Sequence, residues 1–331
     1  MNAMLLHQTK PAEEEPLRRE PREVPVPASG EVLLKVLACG VCHTDLHTVE
    51  GDLPLPKMPI IPGHQVVGQV EQNGPGSRRF EVGQRVGVTW FYSSCRTCSY
   101  CRGGRENLCP EARFTGYHAD GGYAEYMVVP EDSAFPVPSV FGDAEATPLL
   151  CGGVIGYRAL RLSEVQPGQK LGLFGFGNSA HVVIQIAVKR RCSVFVFTRS
   201  ANHQELAREL GAVWVGTADE QPPELMDSSI IFAPAGDLVP MALERLSPGG
   251  TLALAGITMT DIPSMGYHLI YGERTLRSVA NTTRRDAKEL LQEAAEIPIR
   301  TVVETFPLAE ANQVLLMMKQ SRLRAGAALV P

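Results

Sequence analysis

Two stretches of this chain carry residues of the types and spacing that bind metal. The more compact one, C-R-T-C-S-Y-C-R-G-G-R-E-N-L-C, places Cys95, Cys98, Cys101 and Cys109 in a C-x2-C-x2-C-x7-C pattern. Four thiolates on one short loop can close a tetrahedron around zinc, a full shell with no open position and therefore a structural site. Disulfides between such near neighbours are strained, and a reducing compartment disfavours them. An iron–sulfur cluster is the other reading, because Cys109 is followed by Pro110 as in ferredoxins. Their last spacing is x3, whereas here it is x7, and that difference favours zinc.

The second stretch is residues 39–68, C-G-V-C-H-T-D-L-H-T-V-E-G-D-L-P-L-P-K-M-P-I-I-P-G-H-Q-V-V-G. It puts Cys42, His43, Thr44, Asp45 and His47 within six residues, and His64 between a Pro-Gly turn and an apolar run. A thiolate and an imidazole are ligands that zinc prefers. Taken singly, Cys42 also reads as a small buried hydrophobe, as do Cys39 and Cys192. Cys151 alone reads as core packing and His47 alone as a surface-loop histidine.

A third pattern suits a nucleotide. Gly175, Gly177 and Ala180 form G-x-G-x-x-A between an apolar run and a helix-like one. The first glycine makes the tight turn, the second lets the backbone approach a pyrophosphate, and the small third residue lets helix and strand pack. The helix N-terminus then faces the phosphates. At the end of the next apolar run, where an NAD-binding chain usually carries an acid for the ribose hydroxyls, stand Thr198, Arg199 and Ser200. A cation and two hydroxyls in that place suit a 2′-phosphate, so NADP(H) is expected over NAD(H).

Elements must hold these groups. Residues 32–38 read as a buried strand feeding the second stretch, and 66–70 as another. Residues 81–90 resemble a strand pair with Gly punctuation, and 121–129 alternate like a strand. Residues 149–160 look like the start of a helix carrying Cys151, with the pattern changing beyond it. Strands at 170–174, 193–197, 230–233 and 251–256 alternate with helical runs, the second of them capped by Asn202 with Glu205. That alternation predicts a parallel, doubly wound sheet. The chain of 331 residues is long enough for two domains, and its 44% apolar content is that of a globular protein. A net charge of -5 argues against nucleic-acid or anionic-membrane partners. No apolar run spans a bilayer and the first residues lack a secretory pattern. Clustered rather than spread cysteines point to metal ligation in a reducing compartment, so a cytoplasmic enzyme is expected.

In the order C-H-T-D-L-H, G-D-L-P-L-P, P-G-H, the four-cysteine loop and then Cys151, the chain resembles the zinc-dependent alcohol dehydrogenases of the medium-chain dehydrogenase/reductase family. The likeness covers nearly its whole length and is strongest to short bacterial and yeast-like forms. The resemblance implies an α/β fold, with a β-rich GroES-like catalytic domain over residues 1–151 and 281–331 and a Rossmann-type doubly wound domain over 152–280. It implies a catalytic zinc on Cys42, His64 and Cys151, a second, structural zinc, and a nicotinamide cofactor. Thr44 and His47 match residues that pass the alcohol proton outward through the cofactor ribose. Asp45 matches the carboxylate that orients the ligand histidine, His43 a residue facing the pyrophosphate, and Trp90 a substrate-pocket aromatic. The implied reaction interconverts a small alcohol and an aldehyde or ketone by hydride transfer, in a homo-oligomer, dimer or tetramer. A zinc- and nucleotide-binding relative without turnover is the alternative. Gln65, Asn178, Leu53 and Ala327 depart from the family's usual Glu, Gly, Trp and Arg, and Leu53 suggests a roomier pocket.

Overall fold

The computed structural model describes residues 1–297, 299–323 and 326–331. The chain forms two compact units: Met1–Cys151 with Asn281–Ala295 and Arg300–Pro331, and Gly152–Ala280 with Glu296–Ile299.

The first unit is organised on Glu31–Val41, an eleven-residue strand whose buried Val32, Leu34, Val36 and Cys39 face a core shared with Val66, Val70, Val86 and Val88. It pairs antiparallel with Gln65–Asn73, Tyr126–Pro130 and Gly326–Val330. Arg85–Val88, Ala134–Pro136 and Val303–Pro307 complete a seven-stranded sheet. The expected strand pair at residues 81–90 is a single strand, Arg85–Val88, because Gly83 at φ 89° turns the chain just before it. The strand expected over 121–129 is confined to Tyr126–Pro130. The proline-rich start contributes a small two-stranded sheet, Asn2–Leu6 against Leu17–Pro21.

The second unit is a six-stranded sheet, parallel throughout, ordered Trp214–Gly216, Ser193–Phe197, Lys170–Phe174, Met226–Ile231, Leu246–Leu254, Thr275–Ser278. Numbered along the chain, this is the 3-2-1-4-5-6 order of a dinucleotide-binding sheet, with the reversal between Lys170–Phe174 and Met226–Ile231. Leu171 to Phe174 and Val194 to Phe197 are buried without alternation, as in strands covered on both faces. The rings of Phe174 and Phe197 stack at 4.1 Å across the two strands. Helices Asn178–Lys189, Ala201–Glu209 and Leu238–Glu244 follow the strands. The two units are therefore a GroES-like one and a Rossmann-type one. Among the described residues no helix is long and apolar enough to cross a membrane.

Candidate active site

Sheet register starts the site. Cys39 lies opposite Val66 and Gly40 opposite Gln65 across the two antiparallel strands. Cys42 is just past that end of one strand and His64 just before the other, so pairing alone joins a thiol and an imidazole 22 residues apart. Gly63, at φ 95°, lies against the ring of buried Tyr123, and only glycine suits that approach to His64.

Cys42 is also the N-cap of helix His43–Glu50. Its Sγ accepts the Thr44 N–H at 3.3 Å, where free amides and the positive end of the helix dipole favour a thiolate. Asp45 closes the cap by accepting the Cys42 N–H on Oδ2 at 2.9 Å, while its Oδ1 lies 3.1 Å from His64 Nδ1. One buried carboxylate thus holds both the turn that presents the thiol and the face of the imidazole. Burial lifts Asp45 above the ordinary carboxylate range, with His64 opposing it.

Cys151 arrives from far along the chain. It ends the 3-10 turn Thr147–Leu150, whose Leu149 and Leu150 are buried, and helix Gly152–Leu162 begins only after it. Residues 149–160 are therefore not one continuous helix: Cys151, at φ -132° and ψ -83°, stands in the break. His64 Nε2 is 3.4 Å from Cys42 Sγ and 3.3 Å from Cys151 Sγ, and the sulfurs are 3.9 Å apart. A hydrogen bond from Cys151 holds the Cys42 thiol well below its usual range against burial, and the same bond pushes Cys151 up. Despite burial, the charges of Cys42 and Asp45 raise His64. The three donors compete for protons that one dication would replace. Two thiolates and a carboxylate-backed imidazole are a zinc donor set, and three protein ligands leave a tetrahedral ion one further position.

The sulfurs of Cys95, Cys98, Cys101 and Cys109 likewise lie within 4.8 Å of one another. Cys98 N–H donates to Cys95 Sγ at 3.4 Å and Cys101 N–H to Cys98 Sγ at 3.5 Å. Backbone hydrogen bonds from Thr97 and Cys98 bring the Cys95 thiol down to about 6. Burial and hydrogen bonds with Cys95 and Cys101 push Cys109 up to about 11, so the sulfurs share protons that a metal would displace. Amides aimed at sulfur stabilise thiolates, which fits a four-thiolate metal.

Around the three-donor group, Trp90 sets its ring edge-on to His64 at 5.1 Å. Phe114 stacks on Trp90 at 5.1 Å and Tyr117 leans on it at 5.7 Å. Neither Phe114 nor Tyr117 has a spacing signal, and only the fold gathers them. Thr44 and His47 are half-buried on helix His43–Glu50, three positions apart and so on one face. His43 is exposed at the first helical position, and Leu53 is half-buried just beyond the helix. Gln65 is 4% exposed, with its side chain against Gly40 and its Nε2 buried without a hydrogen-bond partner among the described residues; a neutral amide is less costly to bury there than a carboxylate.

In the second unit Gly175 turns at φ 87°, with a Cβ there only 2.9 Å from Ala233 N. Gly177 caps helix Asn178–Lys189, and a Cβ on it would meet no atom of its own chain within 4 Å. That open space is what a phosphate group needs. Ala180 is fully buried under the turn. Thr198 is 8% exposed, while Arg199 and Ser200 are exposed. The N-cap of helix Ala201–Glu209 is Ser200, which accepts the His203 N–H at 3.4 Å, and not Asn202. Asn202 lies inside the first turn. His203, given no role by sequence patterns, has its ring 6.5 Å from Phe176 of the Gly-rich turn.

Residues 28–139 match the alcohol dehydrogenase GroES-like domain family and residues 180–296 the zinc-binding dehydrogenase family. The chain is 45% identical over 336 residues to a probable alcohol dehydrogenase, AdhA, of Mycobacterium tuberculosis, covering 100% of this chain and 97% of that protein. It is 35% identical over 339 residues to an alcohol dehydrogenase of Geobacillus stearothermophilus, covering 99% of each. Among solved structures, a cinnamyl alcohol dehydrogenase of Sorghum bicolor superposes with a TM-score of 0.89 at 27% identity, over 99% of this chain and 97% of that one. Whole-length identity to named dehydrogenases, on a fold with this donor set, places the chain in the zinc-dependent, NAD(P)-dependent alcohol dehydrogenases of the medium-chain dehydrogenase/reductase family.

Proposed function

We propose that this dehydrogenase works through a zinc held by Cys42, His64 and Cys151, with a second, structural zinc held by Cys95, Cys98, Cys101 and Cys109. The observation that carries the reading is the convergence of the Cys42, His64 and Cys151 donor atoms within 4.8 Å, with Asp45 on the far side of the imidazole. When bound, zinc supplies Lewis-acid polarisation of the substrate oxygen and the nicotinamide exchanges a hydride with the substrate carbon. Asp45 keeps Nε2 of His64 facing the metal position by engaging Nδ1. Thr44 and His47 would pass the alcohol proton outward by way of the cofactor ribose, with His47, half-exposed one helical turn from Thr44, delivering it to solvent. Trp90 and Leu53 wall the substrate. His43, Gly175, Gly177, Ala180, Thr198, Arg199 and Ser200 receive the cofactor, and Arg199 favours NADP(H).

Assays of primary, secondary and aromatic alcohols and aldehydes with both cofactors test the activity. Absence of hydride transfer with every pair, in zinc-replete protein, would overturn it. Protein purified without added metal is expected to hold about two zincs per chain. A chelator removes the three-ligand ion and activity first, with the far-ultraviolet circular dichroism retained. Iron with visible absorption would instead identify the four-cysteine loop as a cluster site.

The same reading makes the enzyme a cytoplasmic homo-oligomer. Thiolate ligands persist in a reducing compartment, and cell fractionation checks the location. The parallel sheet ends at Thr275–Ser278, and Tyr267 and Tyr271 are 71% and 73% exposed. Light scattering should give a dimer or tetramer mass, and a monomer at micromolar concentration removes this part of the reading.

A further inference from the structure

We propose that Asp52 is a positioning residue that fixes the tautomer of His47 and so decides which ring nitrogen carries the relayed proton. This rests on the reading of His47 as the outer base given above. His47 Nδ1 lies 2.7 Å from Asp52 Oδ2. An ionised carboxylate only accepts hydrogen bonds, so neutral His47 bears its hydrogen on Nδ1 and its lone pair on Nε2.

The backbone sets this pair in place. Helix His43–Glu50 ends at Gly51 with φ 86°. The N–H groups of both Gly51 and Asp52 then donate to the His47 carbonyl at 3.1 Å. A chain folded back in this way returns Asp52 to the residue whose carbonyl it caps. Among the described residues His47 is the one hydrogen-bonding partner of the Asp52 carboxylate. The same short stretch repeats the device: Asp45 engages Nδ1 of His64 at 3.1 Å and leaves Nε2 to the donor group.

Stability does not account for the pair. The side chains of His47 and Asp52 are 29% and 56% exposed, and exposed ion pairs contribute little to folding. In alcohol oxidation His47 Nε2 accepts the proton while the Nδ1 hydrogen stays on His47, donated to Asp52 Oδ2. The resulting imidazolium faces a carboxylate of opposite charge, and Nε2 then releases the proton to water. Asp52 itself gains and loses no proton. In aldehyde reduction each step runs backwards.

The test uses zinc-replete enzyme with one good alcohol and the wild type, Asp52→Ala, Asp52→Glu, His47→Gln and the double variant. General-base catalysis contributes about 10²–10⁴-fold; Asp52→Ala should forfeit part of that, about tenfold in kcat, with KM unchanged. Asp52→Glu should recover part of the loss. In the His47→Gln background Asp52→Ala should cost nothing further, the signature of one coupled unit. Nitrogen-15 spectra of histidine-labelled protein should show His47 protonated at Nδ1, with the proton moving to Nε2 in Asp52→Ala. Additive losses, or an unchanged tautomer, overturn the assignment. Should His47→Gln lose turnover while Asp52→Ala keeps it, only the Asp52 role falls. Should His47→Gln keep full turnover, the relay reading falls and Asp52 with it.

Discussion

Replacing Cys151 by serine is expected to lower the zinc content from about two ions per chain to about one and to abolish measurable turnover. The Cys151 sulfur stands 3.3 Å from His64 Nε2 and 3.9 Å from Cys42 Sγ. A serine hydroxyl there offers a harder and far less acidic donor, and a three-ligand site that loses one thiolate holds zinc weakly. Lewis-acid stabilisation is worth several kcal/mol; at about 1.4 kcal/mol per factor of ten, the loss in kcat is on the order of 10³-fold or more. The fold should persist, because the packing of this turn rests on Leu149 and Leu150 and not on the sulfur. Cys192, buried and 3.6 Å from the Gln166 carbonyl, is the control: Cys192→Ser should keep both zinc and turnover. Full zinc with near-normal activity in Cys151→Ser would require another ligand, with Asp45 and Gln65 the first to examine.

How far such a site can be read from sequence depends on whether its proximity is local. Cys95, Cys98, Cys101 and Cys109 occupy one loop, so their gathering follows from spacing. Cys42 and His64 meet only through the register of Glu31–Val41 against Gln65–Asn73, which alternation suggests but does not number. Cys151 meets them across 109 residues from Cys42, and no pattern within the chain signals that; only the family resemblance pointed there. Asp52 was hidden for a different reason. The turn at Gly51, not any side-chain periodicity, brings it to His47.

The second unit was more legible because parallel strands buried on both faces read as plain apolar runs. Lys170–Phe174 and Ser193–Phe197 coincide with those runs. Boundaries set by competing caps were less so. Ser200 and Asn202 both suit an N-cap, and Ser200 prevails because its oxygen meets the His203 N–H. Turn chemistry likewise decided residues 81–90, where Gly83 with left-handed φ separates a lone, exposed Val82 from the strand Arg85–Val88.

Cofactor choice is the expectation that family membership leaves open, and it turns on the end of strand Ser193–Phe197. Thr198 N–H donates to the Gly216 carbonyl at 2.8 Å, and the Thr198 carbonyl accepts from Gln204 Nε2 at 2.9 Å. The backbone is therefore fixed while Arg199 remains exposed. No carboxylate stands at Thr198, Arg199 or Ser200 to repel a 2′-phosphate. Ser200 Oγ spends a lone pair on the helix cap, and among the described residues its hydroxyl has no acceptor, which leaves it able to donate. A charge-assisted bond from Arg199 is worth roughly 1.5–3 kcal/mol. At about 1.4 kcal/mol per tenfold, that is one to two orders of magnitude in favour of NADP(H). Because Arg199 is exposed, Arg199→Ala should leave the melting temperature unchanged and remove most of the preference. Adding Thr198→Asp supplies an acceptor for the ribose hydroxyls and a charge against the phosphate, so the double variant should prefer NAD(H). The measurement is the ratio of kcat/KM for the two cofactors with one alcohol. A wild-type ratio favouring NAD(H) would mean that Arg199 points into solvent and that another group reads the ribose.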